Sequence, residues 1–214
     1  GKFDITVAPL SDLWDFKSED ASVPDADDIA EALSKVGADQ LSLSGNTLTF
    51  ASDDVMIDLG ALVKGFAADQ MKTYLTENGV TSGLLNLGGN VLTIGSRPDG
   101  SDWSIGIQKP FDDNDPIIDV VKVKDQTVVS SGIYERYFKQ DGVIYHHILD
   151  PDTGYPIQND LWGVSIICDS SLTGDALSTT CMTLGYEKAN DLIQSLDQTE
   201  AEFILDDCKL KKTF

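Results

Sequence analysis

The amino-acid sequence predicts an α+β fold with a mixed, largely antiparallel sheet and packed helices. Three observations support this prediction. Helical and strand patterns are mixed along the 214 residues, several strands are joined by short turns, and hydrophobic residues make up 41% of the chain. Short turns join antiparallel neighbours, whereas a doubly wound parallel sheet needs long crossovers. We therefore predict one domain over residues 1–214.

The N-terminal part of the chain combines a helix, a hairpin and a strand that leads into a second helix. Residues 22–37, SVPDADDIAEALSKVG, are typical of a helix because Pro24 lies near the first turn, acidic residues crowd the start and a glycine ends it. Residues 41–50, LSLSGNTLTF, form two alternating runs around Gly-Asn and predict a hairpin. A strand from Val55 is expected to lead into a helix over about 61–78.

The rest of the chain predicts mainly strands, with helices near the C-terminus. Residues 82–96, SGLLNLGGNVLTIGS, indicate a strand, a tight glycine turn and a second strand. Residues 173–196 predict one or two helices that are separated near Gly185. Further strands are expected within residues 103–110, 118–132, 142–150, 161–171, 201–207 and 209–214.

The charge of the chain is strongly negative, with 36 Asp and Glu, 15 Lys and Arg, and a formal net charge of -21. Nucleic acids and anionic membranes are bound through basic surfaces, so both are disfavoured as partners. For most of these carboxylates a solvated surface is the simplest interpretation. An anionic ligand would need a divalent cation or backbone dipoles to offset the negative field.

The cysteines give little sign of a metal site. Cys168, Cys181 and Cys208 are widely spaced and form no CxxC pair, which argues against zinc. Cys168 and Cys181 stand in apolar stretches and are predicted to be buried.

No apolar run reaches the length of a membrane-spanning helix.

Three glycine-containing segments are candidates for contact with an anionic ligand. Gly60 stands where a helix begins, and the unpaired N–H groups of a helix N-terminus attract anions, with Lys64 one turn further on. NLGGN, residues 86–90, permits a close approach of backbone to ligand. SSGIYERYF, residues 130–138, offers small hydroxyls and a glycine. A plain helix start, a hairpin turn and an exposed Glu–Arg pair remain the alternatives.

The only two histidines of the chain are adjacent, in YHHILDPDTGYP, residues 145–156. On a regular strand, His146 and His147 point to opposite faces, so we do not expect them to chelate one metal ion together. Asp150 begins an Asp-Pro-Asp-Thr-Gly turn, in which its side chain can bond the following backbone. Chemistry at a histidine and a simple polar turn are both compatible with this pattern.

A carboxylate and a hydroxyl stand four residues apart in TGDALSTT. If this segment is helical, Asp175 and Thr179 lie on one face, one turn apart. Carboxylate and hydroxyl oxygens are hard ligands that suit Mg²⁺ better than zinc. The alternative is an acid favoured by the helix dipole and a threonine that bonds its own helix.

Taken in order, these segments resemble the ApbE family, the FAD:protein FMN transferases. The resemblance extends to about Gly185 and rests on FDITVAPLSDLW, IDLGALVKGFAAD, LLNLGGNVLTIG, WSIGIQKP, SSGIYERYF, YHHILDPDTGYP and GDALSTTCMTLG. It implies a T-fold-related architecture and an enzyme that uses Mg²⁺ to cut the pyrophosphate of FAD. FMN would be attached through a phosphoester to a threonine of an acceptor protein, typically a flavin subunit of a membrane redox complex, with release of AMP.

The resemblance also implies roles for individual residues. The metal would be held by the Asp175 carboxylate, the Thr179 hydroxyl and the Ala61 carbonyl. Lys64 would hold phosphate and take part in catalysis.

The DPDTG element implies that His147 handles a proton and contacts the nucleotide. Asp150 would orient His147 or neighbouring backbone. The remaining contacts with the flavin nucleotide are expected from Gly60, Asn86, Gly88, Gly89, Asn90, Ser130, Ser131, Gly132, Tyr134 and Glu135.

The sequence departs from the family pattern in two places. Family members usually carry a longer N-terminal part before FDITVAPL, and Ile133 stands where an aspartate is common in the SGDYER version of the family motif. These departures motivate one alternative to the transferase, a non-catalytic FAD-binding protein. A second alternative is an FAD pyrophosphatase that gives FMN and AMP, for which the same site would serve with water in place of threonine. The resemblance further implies an extracytoplasmic location, at the outer face of the cytoplasmic membrane or in the periplasm, often with a lipid anchor.

Overall fold

The computed structural model describes residues 1–112, 114 and 116–214, and this part of the chain contains five α-helices. They are α1 (Ala8–Trp14), α2 (Ala26–Leu33), α3 (Gly60–Glu77), α4 (Ser171–Leu184) and α5 (Tyr186–Gln194). Short 3₁₀ turns occupy Ile5–Val7 and Ala38–Gln40. None of these helices is long and apolar enough to cross a membrane.

Twelve strands lie in the same described residues. They are β1 (Leu41–Ser44), β2 (Thr47–Phe50), β3 (Gly83–Asn86), β4 (Asn90–Ile94), β5 (Trp103–Gln108), β6 (Ile117–Val123), β7 (Thr127–Gly132), β8 (Tyr137–Gln140), β9 (Val143–His146), β10 (Leu161–Cys168), β11 (Glu200–Leu205) and β12 (Leu210–Lys212). Every described strand pair is antiparallel. The prediction of an α+β fold with a largely antiparallel sheet is therefore confirmed.

The described residues divide into two compact units. The first unit contains residues 1–59 and 133–158, and the second contains residues 60–132 and 159–214. The assignment of the whole chain to one domain stays a prediction.

The core of the first unit is formed by side chains of α1 and α2 together with aromatic residues. Leu10 and Trp14 of α1, Ile29 of α2 and Leu149 are all buried in one cluster. Trp14 Nε1 donates a hydrogen bond of 2.9 Å to the Gly154 carbonyl. Because the partner of this bond lies in the DPDTG turn, the turn is tied to the core of the unit.

The second unit is built on a six-stranded sheet with the strand order β12-β11-β10-β7-β4-β3. One face of the sheet packs against the β5–β6 hairpin, with Val128, Ile167 and Ile204 in the shared cluster. The other face packs against α4, where Gly174 lies so close to Val129 that a Cβ would meet its side chain at 2.7 Å. The sheet is thus covered on both faces, and α4 lies on one of them.

Most predicted elements are confirmed, and the differences have local reasons. The strand expected from Val55 is wrong: residues 55–59 pair with no described strand, and the amide of Asp58 bonds to the Ile5 carbonyl, at 2.7 Å. The strand that contains the histidines ends at His146, one residue before His147. Helix α1 and strand β8 were not predicted, because their short segments show no clear periodicity.

Candidate functional site

The start of α4 is held in place by a carboxylate of α3. The Asp69 carboxylate accepts hydrogen bonds from Ser171 N at 2.8 Å, Leu172 N at 3.0 Å and Ser170 Oγ at 2.9 Å. Ser170 is itself the N-cap residue of α4. Backbone N–H groups at a helix start have no partner within the helix, so this carboxylate stabilises the first turn. It thereby fixes the next turn, which carries Asp175.

Asp175 is buried, with an exposed fraction of 4%, and both of its carboxylate oxygens accept hydrogen bonds. Oδ1 accepts from Asn90 Nδ2 at 3.0 Å, and Oδ2 accepts from the Gly65 amide at 2.5 Å. Burial raises the pKa of Asp175, and these two hydrogen bonds oppose that shift. Both donors are neutral, so the carboxylate is oriented without being neutralised.

The Gly65 amide, one of the two donors to Asp175, lies in the first turns of α3, four residues after Ala61. In a regular α-helix the Gly65 N–H bonds the carbonyl of residue 61, and here the same N–H donates to Asp175. Gly65 also has no room for a side chain, because a Cβ would lie 2.3 Å from the Ser171 carbonyl oxygen. Glycine is therefore required at this crossing of α3 and α4. A regular first turn of α3 would direct the Ala61 carbonyl at the same amide that donates to Asp175.

Thr179 lies one turn after Asp175 on α4 and is half-buried. The set formed by a carboxylate, a hydroxyl and a carbonyl consists of hard oxygens, which are the donors that Mg²⁺ prefers. The residues present thus fit a hard divalent cation. No group of three His, Cys, Asp or Glu side chains suited to a metal occurs among the described residues.

Lys64 of α3 contacts the predicted glycine turn. Its Nζ donates to the Gly88 carbonyl at 2.9 Å. Gly88 and Gly89 have φ values of 65° and 88°, in the left-handed region that glycine adopts without strain. The turn is closed further by a hydrogen bond of 3.1 Å from the Gly88 amide to Asn86 Oδ1. Asn86, Gly88 and Gly89 are exposed, so an anionic ligand can approach this backbone.

Asn90 has a different environment from the rest of this turn. Its side chain is fully buried, and its amide is bonded to Asp175 and Ser171. We predicted that Asn90 would contact the nucleotide directly. The geometry instead gives it a role in holding Asp175.

The SSG segment ends strand β7, and its two serines point to opposite faces of the sheet. Ser130 Oγ bonds Ser165 Oγ at 2.7 Å, whereas Ser131 Oγ bonds Ser178 Oγ of α4 at 2.8 Å. Gly132 is buried where β7 pairs with β10. Successive side chains of a regular strand point to opposite faces, so Ser130 and Ser131 cannot contact the same ligand from one surface. Ser131 is the one on the side of α4.

The first unit carries the remaining predicted residues, beginning with the histidines. His146 is buried; its Nε2 donates to the Ile157 carbonyl at 2.8 Å, and its Nδ1 accepts from the Ile148 amide at 3.3 Å. Burial lowers the pKa of His146 to about 4, so the ring is neutral. His147 is half-buried just after β9, with Nδ1 3.3 Å from the Arg136 carbonyl. The two rings thus have separate environments.

Asp150 is engaged by a lysine rather than by a histidine. Lys2 Nζ lies 3.0 Å from Asp150 Oδ1 and 2.8 Å from Asp152 Oδ2. Asp150 Oδ1 also accepts from the Asp152 amide at 3.0 Å, as expected for a turn of this kind. Of the two roles predicted for Asp150, the structure therefore shows the backbone contact. In the same unit, Tyr134 is half-buried, burial raises the pKa of its phenol, and Glu135 is exposed.

Sequence reasoning missed Asp69, Ser171 and Thr127. Asp69 is the last residue of the IDLGALVKGFAAD segment, but its partners lie about a hundred residues further along the chain. Ser171 and Thr127 begin regular elements and carry ordinary small polar side chains. No spacing rule links such residues, because only the packing of α3, α4 and the sheet brings them together.

Comparison with known proteins identifies the family. The model of the ApbE family matches residues 1–203. The chain is 39% identical over 204 residues to an FAD:protein FMN transferase of Klebsiella pneumoniae, covering 94% of this chain and 63% of that protein. It is 36% identical to an FAD:protein FMN transferase of Treponema pallidum, covering 99% of this chain and 62% of the relative. The chain belongs to the ApbE family.

Solved structures of ApbE proteins share the fold. The ApbE protein of Thermotoga maritima aligns with a TM-score of 0.88 and 33% identity, over 99% of this chain and 70% of that one. The flavinyl transferase ApbE of Pseudomonas stutzeri, in its apo form, aligns with a TM-score of 0.83 and 35% identity, over 100% of this chain and 66% of that one. The chain spans less than two thirds of the length of the curated ApbE relatives named above.

Proposed function

We propose that this ApbE chain catalyses the Mg²⁺-dependent transfer of FMN from FAD to a threonine of an acceptor protein. The observation that carries the proposal is the environment of Asp175. A buried carboxylate held by neutral N–H donors, with a threonine one turn further along the same helix, is suited to bind a hard cation. The similarity to relatives named FAD:protein FMN transferase supplies the substrate and the reaction.

In this reaction the threonine hydroxyl oxygen forms a bond to the phosphorus of the FMN half of FAD. The bond from that phosphorus to the bridging oxygen breaks, and AMP leaves with the bridging oxygen. The hydroxyl proton passes to a base on the protein. Phosphoryl transfer of this kind depends mainly on positioning and on neutralising charge.

Three residues of α3 and α4 and one lysine support this chemistry in our proposal. Asp175, Thr179 and the Ala61 carbonyl would hold Mg²⁺, which would supply the positive charge that a pyrophosphate requires. Lys64, which lies against the Gly88 carbonyl, would bind phosphate. In a chain with a net charge of -21, a single lysine is a weak counter-charge for a pyrophosphate. A cation site is therefore needed for substrate binding as well as for the chemical step.

We assign proton handling to His147. Its ring is half-buried, unlike that of His146, which is buried and has both nitrogens bonded to backbone. An imidazole is suited to accept the threonine proton near neutral pH. Asp150, paired with Lys2, would stabilise the turn that follows the histidines.

The proposal extends to the surroundings of the reaction. We propose an acceptor that is a subunit of a membrane redox complex and an extracytoplasmic location, with a lipid anchor in the full-length protein. These points rest on the family resemblance of the sequence.

The decisive experiment mixes the protein with FAD, Mg²⁺ and a threonine-bearing acceptor. We expect in-gel flavin fluorescence on the acceptor together with an equal amount of AMP. An acceptor in which the target threonine is replaced by valine is the control and should remain unlabelled.

The same experiment separates the alternatives. AMP without labelling would mean that the protein is an FAD pyrophosphatase, with water in place of threonine. FAD that stays intact for hours would favour a non-catalytic FAD-binding protein. The non-catalytic alternative is suggested by Ile133, a buried apolar residue at a position where an aspartate is common in the family.

A further inference from the structure

We infer that Thr127, Ser171 and Asn90 form a relay of positioning residues that fixes the Asp175 carboxylate for cation binding. The inference rests on the proposed function, because it concerns the same carboxylate. None of the three relay residues needs to touch the substrate or the cation. Their role is to determine where the oxygens of Asp175 point.

The relay is a continuous line of hydrogen bonds that ends on Asp175. The Thr127 hydroxyl lies 3.1 Å from Ser171 Oγ, and Ser171 Oγ donates to Asn90 Oδ1 at 2.7 Å. Asn90 Nδ2 then donates to Asp175 Oδ1 at 3.0 Å. The Val91 carbonyl also lies 2.9 Å from the Thr127 hydroxyl, so the single hydrogen of that hydroxyl is shared between Ser171 Oγ and this carbonyl. Thr127, Ser171 and Asn90 are all fully buried, so water does not compete for these bonds.

The direction of each bond follows from the acceptor at the end of the relay. An ionised carboxylate only accepts hydrogen bonds, so Asn90 must present its NH₂ group to Asp175. Its carbonyl oxygen then faces Ser171, whose hydroxyl must donate. If Ser171 could not donate, the buried Asn90 Oδ1 would lose its partner. The amide could then flip, which would turn Oδ1 instead of Nδ2 towards the Asp175 carboxylate. The Ser171 hydroxyl therefore maintains the orientation of the Asn90 amide.

The relay and α3 hold Asp175 from two sides. Asn90 engages Oδ1, and the Gly65 amide engages Oδ2. With one bond on each oxygen, rotation of the carboxylate is restricted, and its remaining lone pairs keep a fixed direction. A cation site benefits from such restriction, because ligands that are already oriented lose less entropy on binding.

The residues of the relay come from the starts of three separate elements. Asn90 begins β4, Thr127 begins β7 and Ser171 begins α4. Register places Leu92 of β4 opposite Thr127, and α4 packs on the same face of the sheet. The position of the Asp175 carboxylate is thus set by contacts with the sheet and with α3, as well as by its own helix.

A double-mutant cycle in Mg²⁺ affinity tests the inference. The variants are Ser171→Ala, Asn90→Leu and the double variant, and Mg²⁺ binding is measured by calorimetry on the full chain without FAD. We expect each single variant to weaken Mg²⁺ affinity by about 10-fold or more, the size typical of residues that orient a metal ligand. The double variant should be no weaker than Asn90→Leu, because Ser171 acts through Asn90.

Thr183→Val is the matched control. Thr183 is also a buried hydroxyl residue of α4, but its hydroxyl donates to the Thr180 carbonyl of its own helix at 2.8 Å. We expect its Mg²⁺ affinity to equal that of the wild type. Urea unfolding of every variant runs beside the calorimetry, since a purely structural role would lower stability without a matching change in affinity.

The possible outcomes are distinct. Unchanged Mg²⁺ affinity in Ser171→Ala, or additive losses in the double variant, would overturn the relay. A wild-type protein that binds no Mg²⁺ would instead contradict the cation site of the proposed function. If Asn90→Leu fails to fold, the pair Ser171→Ala and Thr127→Val still decides: both should weaken affinity, and the first more than the second.

Discussion

Among the residues that the structure describes, the second unit buries two carboxylates, and their partners differ in kind. Asp175 is 4% exposed and accepts hydrogen bonds from the neutral Asn90 amide and the neutral Gly65 backbone. Glu202 of β11 is fully buried, and the charged Lys212 Nζ lies 2.7 Å from its Oε1. Lys212 also pairs with Asp119 of β6. One carboxylate is oriented by dipoles, and the other is part of a charged cluster.

In our proposal this difference separates a binding role, that of Asp175, from a structural one. Neutral donors orient Asp175 and leave its negative charge available to a cation. Lys212 already supplies the cation at Glu202, and the cluster ties strand β12 to β11 and to the β5–β6 hairpin. Burial raises the pKa of Glu202 to about 7, and the neighbouring Asp119 carboxylate adds to this effect. A buried acid with a raised pKa is therefore not by itself a mark of the active site.

The largest effect is expected from Asp175→Asn, which removes the charge and keeps the shape. Mg²⁺-dependent FAD cleavage should fall by more than about 100-fold, because even residues that only orient a metal ligand contribute about 10- to 100-fold. Steady-state AMP release measures this effect. Urea unfolding should show a fold as stable as that of the wild type. Unchanged FAD cleavage would refute the assignment of Asp175 as a metal ligand.

Lys212→Met should have the largest effect on stability. It leaves the buried Glu202 and the half-buried Asp119 without a cation. Because Lys212 is itself exposed, the cost should be smaller than for a fully buried pair, about 2–3 kcal/mol of unfolding free energy. The loss should be measured by urea unfolding at pH 8, and it should shrink at pH 5, where Glu202 is protonated. Lys211→Met is the control, because Lys211 is exposed on the same strand. Equal losses in both variants would contradict the role of the cluster.

A smaller change is expected from Glu202→Gln, with the opposite sign. The pKa of Glu202 is about 7 in the folded protein and 4.5 as a reference for the unfolded chain. Ionisation therefore destabilises the fold, and the wild type loses stability as pH rises from about 4.5 to 7. The variant should lack this loss and be more stable at pH 8 by roughly 1–3 kcal/mol.

The control for this variant is Glu200→Gln, an exposed glutamate on the same strand. Its unfolding free energy should follow the wild-type pH profile. Mg²⁺ affinity should be unchanged in Glu202→Gln, because the cluster has a structural role. A loss of Mg²⁺ binding there would remove the distinction between the two carboxylates.

The smallest effect concerns His146 in the first unit, which resembles Asp175 in having neutral partners. Its pKa is lowered to about 4 from 6.5, so the unfolded chain binds a proton more readily than the folded one. Stability is complete above about pH 6.5 and is lost as pH falls towards 4, by about 2 kcal/mol at pH 5. His146→Gln should flatten this part of the pH profile in thermal unfolding, and an unchanged profile would refute the assignment.

Periodic and turn-forming segments could be predicted from the sequence. The β1–β2 hairpin around Gly45, the glycine turn before Asn90 and the break at Gly185 all follow from local patterns that occur as predicted. Helix α1 and strand β8 could not be predicted, because packing of short segments decides their structure. The strand expected from Val55 failed for a related reason: an extended segment becomes a strand only when a neighbour pairs with it.

For the candidate site, the sequence predicted residue types better than contacts. The spacing of Asp175 and Thr179 on one helix turn holds, since both lie in α4. The partners of Asp175 could not be predicted, because Asn90 and Gly65 are 85 and 110 residues away in the chain. The roles of Lys64, His147 and the other predicted ligands remain predictions.

Secondary structure in the strongly patterned segments, the acidic character of the chain and the family resemblance all follow from the order of the residues. These features depend on neighbouring residues or on simple composition. The contacts of Asn90 with Asp175 and of Asp69 with the first turn of α4, and the burial of His146, arise only when distant segments pack together. Hydrogen bonds between distant segments depend on how helices and sheet pack, and no local pattern encodes that geometry.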